Sequence, residues 1–382
     1  MISPWVQVDL GLLDRNIRAV RLALNSRTSV VLVVKADAYG HGLIPVVRQA
    51  ARSGVTWFAV AYLREAINVR RTAPDANIVI LGAVSPEDVR TLIEERLYPI
   101  VVDEAHGMAL ARAARAIGAT LHAHLKIDTG MGRFGVPWEE AVPIYERLAR
   151  QPGLAITGLC THFASVEARR PSLGPLQMER FRQIDEQIRS RSVHPLFRHV
   201  SSSRAFLIQP DWDLDGIRPG IAVYGYGARE RGMRIQTEPV LQWRTGVMQV
   251  KRVPSGTLVG YYSTYVTPAP TTLAVIAVGY ADGYHRALSN RGHVLIGGRR
   301  CAVVGRVSMN WIVADCGLNA DVSPGDEVVL IGQQGSESIW ADELARQART
   351  IPYEILTSIH PNIERRYVSS PSLPLFGDPQ RV

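Results

Sequence analysis

Cysteine is scarce in this chain. Of 382 residues only Cys160, Cys301 and Cys316 are cysteines. None stands at a metal-ligand spacing from another, and each sits in an apolar run. They read as buried thiols of a reducing compartment, which excludes a disulfide scaffold and a cysteine metal centre and fits a cytoplasmic location. Long apolar runs are missing as well. No window approaches the roughly eighteen uninterrupted apolar residues of a membrane-spanning helix. The opening MISPWVQVDLGLLDRN has neither a basic nor an apolar segment, so no signal peptide is expected. Blocks of one charge are also absent. Lys and Arg outnumber Asp and Glu by 43 to 35, but the excess is dispersed in short pairs such as ARRP, GGRR and IERRY. With no reading motif beside it, this charge argues against nucleic-acid binding and for a surface that attracts small anions. Internal repeats and low-complexity segments are lacking too.

The length suits two domains, and the pattern changes near residue 230. Up to about 225, short apolar runs alternate with stretches of helical period. The runs are VVLVV (30–34), WFAVA (57–61), NIVIL (77–81), YPIVV (98–102), LHAHLKI (121–127), AITGLCTHF (155–163), FRHV (197–200) and GIRPGIAVYG (216–225). In the intervening SPEDVRTLIEERL, Ser85 is placed as an N-cap with Pro86 in the first helical position. Eight strands with seven intervening helices predict a parallel (β/α)8 barrel of TIM type over 1–232; a doubly wound open sheet is the alternative. From 233 to 382, closely spaced strands with Gly, Pro and Asp turns predict a mainly antiparallel β domain, broken by one helix, WADELARQAR. The end, SSPSLPLFGDPQRV, reads as a loosely held tail.

In a barrel the chemistry gathers at the C-terminal ends of the strands. There the sequence places Lys35 and Tyr39, then Lys126, Asp128 and Arg133, then His162, Ser202 and Ser203, and Arg218. Taken singly, each has a duller reading: a solvated lysine, a satisfied core histidine, a turn. Their shared location favours a site. It is cationic and suits an anionic ligand, and the N–H groups of Gly220 and Ile221 form a candidate phosphate nest. A lysine has an ordinary pKa of about 10.4, and burial among cations lowers it. A neutral lysine amine beside a phosphate cradle suggests imine chemistry with an aldehyde cofactor, pyridoxal 5'-phosphate. No metal is expected.

VVKADAYGHG resembles the cofactor-lysine signature of the alanine racemases, fold-type III pyridoxal-phosphate enzymes. HLKIDTGMGRFGV, IRPGIAVYG, GYYSTY, GYADGY, GRVSMN and IPYEIL follow in the family's order, so the resemblance covers essentially the whole chain. It implies that Lys35 carries the cofactor covalently. Tyr39, Ser203, the amides of Gly220 and Ile221, and Tyr353 would hold its phosphate, and Arg218 its pyridine nitrogen. Arg133 would face the phenolic oxygen and the substrate, with Lys126 orienting it, carbamylated in some relatives. His162 would lie between Arg218 and a tyrosine. Tyr261 would be the second base, opposite Lys35. Met309 would bind the substrate carboxylate through its backbone, and Tyr280 and Arg286 would line the entrance. The resemblance also implies a homodimer with shared sites, and D-alanine supplied for cell-wall peptidoglycan.

The chain departs from the family pattern at three places. Tyr262 stands where glycine is common, Asn310 replaces an aspartate, and Ser202-Ser203 replaces an Asn-Ser pair. Tyr262 and Asn310 bear on substrate range, so a serine or broad-specificity racemase is the alternative. A fold-type III decarboxylase is disfavoured by Arg218, because those enzymes usually set a carboxylate against the pyridine nitrogen. A non-catalytic pyridoxal-phosphate-binding protein is disfavoured by the long second domain.

Overall fold

The apolar runs are too short for stable helices, and here they form a closed parallel sheet. The computed structural model describes residues 3–166, 173–192, 195–228 and 232–370. All eight predicted barrel strands form. They are Ser29–Val33, Trp57–Val60, Asn77–Ile80, Leu97–Val101, Leu121–Asp128, Leu154–Cys160, Phe197–Ser202 and Gly216–Arg218. Each pairs in parallel with the next, and Gly216–Arg218 closes the ring on Ser29–Val33. Ser85 accepts a hydrogen bond from Glu87 N at 3.3 Å, capping the short turn Pro86–Asp88 that leads into Val89–Glu94.

The barrel interior is layered. Near the strand starts, Trp57 stacks on Phe197 with centroids 4.4 Å apart, and Tyr98 and His124 pack beside them. Higher up come His199, Lys126 and Arg218, all buried. Gly158 lets this fill fit, since a Cβ there would lie 2.6 Å from the His124 ring.

The second unit comprises residues 3–12, Tyr39–Gly42 and 238–370. Its nine-stranded sheet is antiparallel except where Trp5–Asp9 pairs in parallel with Glu364–Val368. The sequence-based division at 232/233 lies near the change of unit between Thr237 and Glu238, but the first strand departs from it. Trp5–Asp9 also pairs antiparallel with Leu241–Val253, so its backbone groups are satisfied in the β sheet. The second unit has a further helix, Pro352–Ser358, beyond the expected Ala341–Ala348. Past Ser370 the expected loose tail lies outside the described residues.

Gly158→Ala is expected to destabilise the protein by about 1–3 kcal/mol through overpacking against His124, read as a lower denaturant midpoint with an unchanged slope.

Candidate active site at the barrel mouth

Lys35 is half-buried where the chain leaves strand Ser29–Val33. The four residues after it, Ala36, Asp37, Ala38 and Tyr39, all have φ between 53° and 57°, a left-handed turn built without glycine. Such a conformation costs on the order of 1–2 kcal/mol per residue, and two carboxylates offset it. Glu65 accepts from Ala36 N at 2.8 Å, and from Ala61 N and Tyr62 N at 2.8 and 3.2 Å. Asp37 accepts from Leu43 N at 2.7 Å. The sequence barely announced this turn, because of its four residues only Asp37 is of a type enriched in left-handed backbone.

Burial lowers the Lys35 ammonium pKa, the Arg133 guanidinium lowers it further, and Glu65 opposes both. Lys126, buried within its strand, is pushed down to about 8 by burial, with Arg218 and Arg133 adding to the effect. Asp128, two residues on, takes N–H bonds from Gly130, Met131, Gly132 and Arg133 at 2.7–3.2 Å. Burial pushes its carboxyl up, but those four backbone donors outweigh it and hold the carboxyl low. Arg133 itself is exposed at the end of this loop.

Arg218 is the most enclosed cation of the group. Its Nη2 donates to the carbonyls of Thr161 and Val200 at 2.7 and 2.9 Å and faces His162 Nδ1 at 3.3 Å. Its Nη1 donates to His199 O and to His199 Nδ1, the latter at 2.9 Å. None of these partners is a carboxylate. Guanidinium only donates, so His199 Nδ1 is the acceptor and its hydrogen sits on Nε2. That hydrogen is donated to His124 Nδ1 at 2.9 Å. A directed chain therefore runs from Arg218 through His199 to His124. Burial and then Arg218 hold His124 at a pKa of about 3 and His199 well below the usual range. His162 falls to about 2 by burial and then by Arg218, Lys126, Arg133 and Lys35. Sequence reading assigned no role to His124 or His199; the signal was the inward parity that His124 shares with Lys126.

Ser203, buried, accepts from Gly220 N at 2.9 Å and Ala222 N at 3.3 Å. Both Oγ lone pairs are thereby engaged, which leaves its O–H to donate elsewhere. Gly220 and Ile221 follow directly on the strand that ends in Arg218. The barrel unit thus brings together Lys35, Lys126, Arg133, His162, Ser203, Arg218, Gly220 and Ile221.

The remaining sequence-predicted residues belong to the β unit. Tyr39 and Tyr353 have ring centroids 5.7 Å apart; burial raises both hydroxyls, Tyr353 to about 12. Tyr261 is 67 % exposed on a short turn whose Gly260 packs on Arg306. Tyr262 adopts φ 61°, a left-handed value at the place where the resemblance sets glycine. Tyr280 N donates to Ser308 O and Ala281 N to Met309 O, at 3.0 and 2.9 Å. Gly279 permits that approach, since a Cβ there would lie 2.2 Å from Met309 O. Segment 305–309 therefore touches both the Tyr261 turn and the Tyr280 turn. Arg286 begins the short turn Arg286–Leu288.

A barrel with a lysine of lowered pKa and an uncompensated buried guanidinium at its C-terminal mouth, joined to an antiparallel β unit, marks the class of barrel enzymes that handle an anionic organic ligand. Residues 8–228 match the alanine racemase N-terminal domain and residues 240–367 the alanine racemase C-terminal domain. The chain belongs to the alanine racemase family, pyridoxal-phosphate-dependent isomerases. It is 38 % identical to the alanine racemase of Desulfosudis oleivorans, with 97 % of this chain and 98 % of that protein covered. With that of Carboxydothermus hydrogenoformans the identity is 39 %, over 96 % of this chain and all of the relative. Among solved structures, alanine racemase from D-cycloserine-producing Streptomyces lavendulae superposes with a TM-score of 0.90 at 33 % identity, covering 97 % of this chain and 98 % of that one. Alanine racemase from Bartonella henselae, solved with covalently bound pyridoxal phosphate, gives 0.87 at 26 % identity, covering 96 % of this chain and all of that one.

Glu65→Ala is expected to cost about 3 kcal/mol, because three N–H groups lose a buried acceptor. It should also lower the Lys35 pKa further, since the one opposing charge is gone. Glu65→Gln should recover part of the stability but not the charge effect; denaturant melts and the pH dependence of Lys35 labelling read the two separately.

Proposed function

We propose that the protein interconverts L-alanine and D-alanine with pyridoxal phosphate carried by Lys35, and that Lys35 and Tyr261 are the two bases. The observation that carries this reading is Arg218, a buried guanidinium whose partners are carbonyls and imidazoles. The donor set fits the cofactor: a lysine biased toward its neutral, nucleophilic form, a Ser203 O–H left to donate to a phosphate, and a guanidinium for a ring nitrogen. When bound, the cofactor supplies an electron sink for the Cα carbanion of the amino acid attached to it.

The chain's own residues supply the rest. Arg218 keeps its proton and only donates, so a ring nitrogen facing it remains an acceptor. That restrains the sink and favours return of a proton to Cα. The Lys35 amine moves the proton of the D-enantiomer, and the Tyr261 oxygen that of the L-enantiomer, from opposite faces. His162, neutral and accepting at Nδ1, links Arg218 toward the tyrosine. Tyr39, Tyr353 and Ser203 hold the phosphate, with Gly220 fixing Ser203 and Ile221 adding an amide. Arg133, oriented by Lys126, and the Met309 backbone hold the substrate carboxylate; Tyr280 and Arg286 line the approach.

Tyr261 would come from a second copy of the chain. Exposed Tyr261, Tyr262, Met309 and Trp311 on the β unit are the kind of apolar surface that a homodimer covers. The product would serve cell-wall peptidoglycan synthesis in the cytoplasm. Asn310 and Tyr262 leave serine as the second substrate to assay.

Incubation with L-alanine in deuterated water should yield both enantiomers with deuterium at Cα; unlabelled or uninverted alanine overturns the reading. Tyr261→Phe should keep the cofactor absorbance and lose about 10²–10⁴-fold of the activity. Lys35→Ala should lose the absorbance itself. Lys126 titrates near 8, and only its neutral amine adds carbon dioxide. A carbamate signal from ¹³C-bicarbonate should therefore appear above about pH 8, fade below it, and vanish in Lys126→Ala.

A further inference from the structure

Two of the three cysteines face each other across a pair of strands. Arg299–Val304 and Ile312–Asp315 run antiparallel with Ala302 opposite Asp315, Val303 opposite Ala314 and Val304 opposite Val313. One step further in the same register, Cys301 lies opposite Cys316. The backbone bonds show which kind of pair this is. Cys316 N donates to Thr272 O at 2.9 Å, away from the Arg299–Val304 strand. Val303 N donates to Gly292 O at 2.9 Å, away from the Ile312–Asp315 strand. Cys301, two residues earlier, has the same orientation as Val303. Neither peptide group points at the other, so this is a non-hydrogen-bonded pair, for which the Cα atoms lie about 4.5 Å apart. That spacing is inside the range of about 4.4–6.8 Å that a disulfide spans.

We propose that Cys301 and Cys316 form a redox site, a dithiol that hydrogen peroxide converts to a cross-strand disulfide. The step balances: two S–H bonds and the peroxide O–O bond break, one S–S bond forms, and two waters leave. Both sulfurs are free thiols in the structure, with Cys301 buried and Cys316 partly exposed, so the oxidant has a way in. The two thiols lie within hydrogen-bonding reach of each other, and that contact lowers the Cys301 thiol from its ordinary range, which favours the thiolate that attacks peroxide. The bond would close the hairpin whose connection, 305–311, carries Met309 and supports the Tyr261 turn. Oxidation would thereby stiffen the part of the β unit that presents those residues.

The test uses the holoenzyme treated with hydrogen peroxide, then alkylated under denaturing, non-reducing conditions. Arg300 and Arg306 flank Cys301, so trypsin separates the two cysteines onto different peptides. The expected result is loss of two of the three alkylatable thiols, a linked peptide pair lighter by two hydrogens, and full recovery with dithiothreitol. The oxidised protein should also melt at a higher temperature than the reduced one, and this difference should vanish in Cys301→Ser and Cys316→Ser. Three thiols still alkylatable, oxygen added to either sulfur without a link, or a link between separate chains would overturn the proposal. Because the readout is covalent mass, it stands whether or not the chain racemises alanine.

Discussion

A guanidinium buried without a carboxylate organises the barrel mouth. Arg218 is satisfied by carbonyl oxygens and imidazole nitrogens, which accept its hydrogens but leave its charge in place. Burial makes that charge costly, and its field reaches every titratable neighbour. Three histidines that would ordinarily titrate near neutrality stay uncharged beneath it. Lys126, buried nearby, is brought down to about 8. The mouth thus keeps its histidines neutral around a permanently charged guanidinium.

The acidic side chains of the mouth are turned to the backbone. Glu65, Asp37 and Asp128 are present, yet their oxygens are engaged by backbone N–H groups. Glu65 and Asp37 hold the left-handed turn after Lys35, and Asp128 gathers the loop that ends in Arg133. The same bonds that offset backbone strain and loop ordering hold these carboxylates on the backbone, so Glu65 and Asp128 act on Lys35 and Lys126 through their charge. Structural and electrostatic demands are met by one set of side chains.

The β unit uses glycine for close approach rather than charge. Gly279 lets the Tyr280 turn lie against Met309, and Gly260 lets the Tyr261 turn lie against Arg306. Both approaches converge on segment 305–309, so the hairpin bearing it acts as the frame on which the exposed tyrosines of this unit are mounted. Asn290 adds to that frame, donating to Thr264 Oγ1 at 3.1 Å and accepting from Gly305 N at 2.6 Å.

Much of this was determined by sequence alone. Apolar runs of strand length, separated by helical stretches, indicate a parallel sheet because each run is buried on both faces, and their count of eight favoured a barrel over an open sheet. The position of Lys35, Lys126, His162 and Arg218 at the ends of those runs follows from the same pattern, as does the ordered set of family motifs. Tertiary structure decided the rest. Trp5–Asp9 reads like any barrel strand, and only its distant partners, Leu241–Val253 and Glu364–Val368, assign it to the other sheet. The left-handed Ala-Asp-Ala-Tyr turn is held at its first N–H by Glu65, contributed by a different helix. His124 and His199 look like ordinary core residues until strand register places them in line below Arg218. Local sequence encodes backbone preference and burial, whereas register, field and strain arise between residues that meet only once the chain has folded.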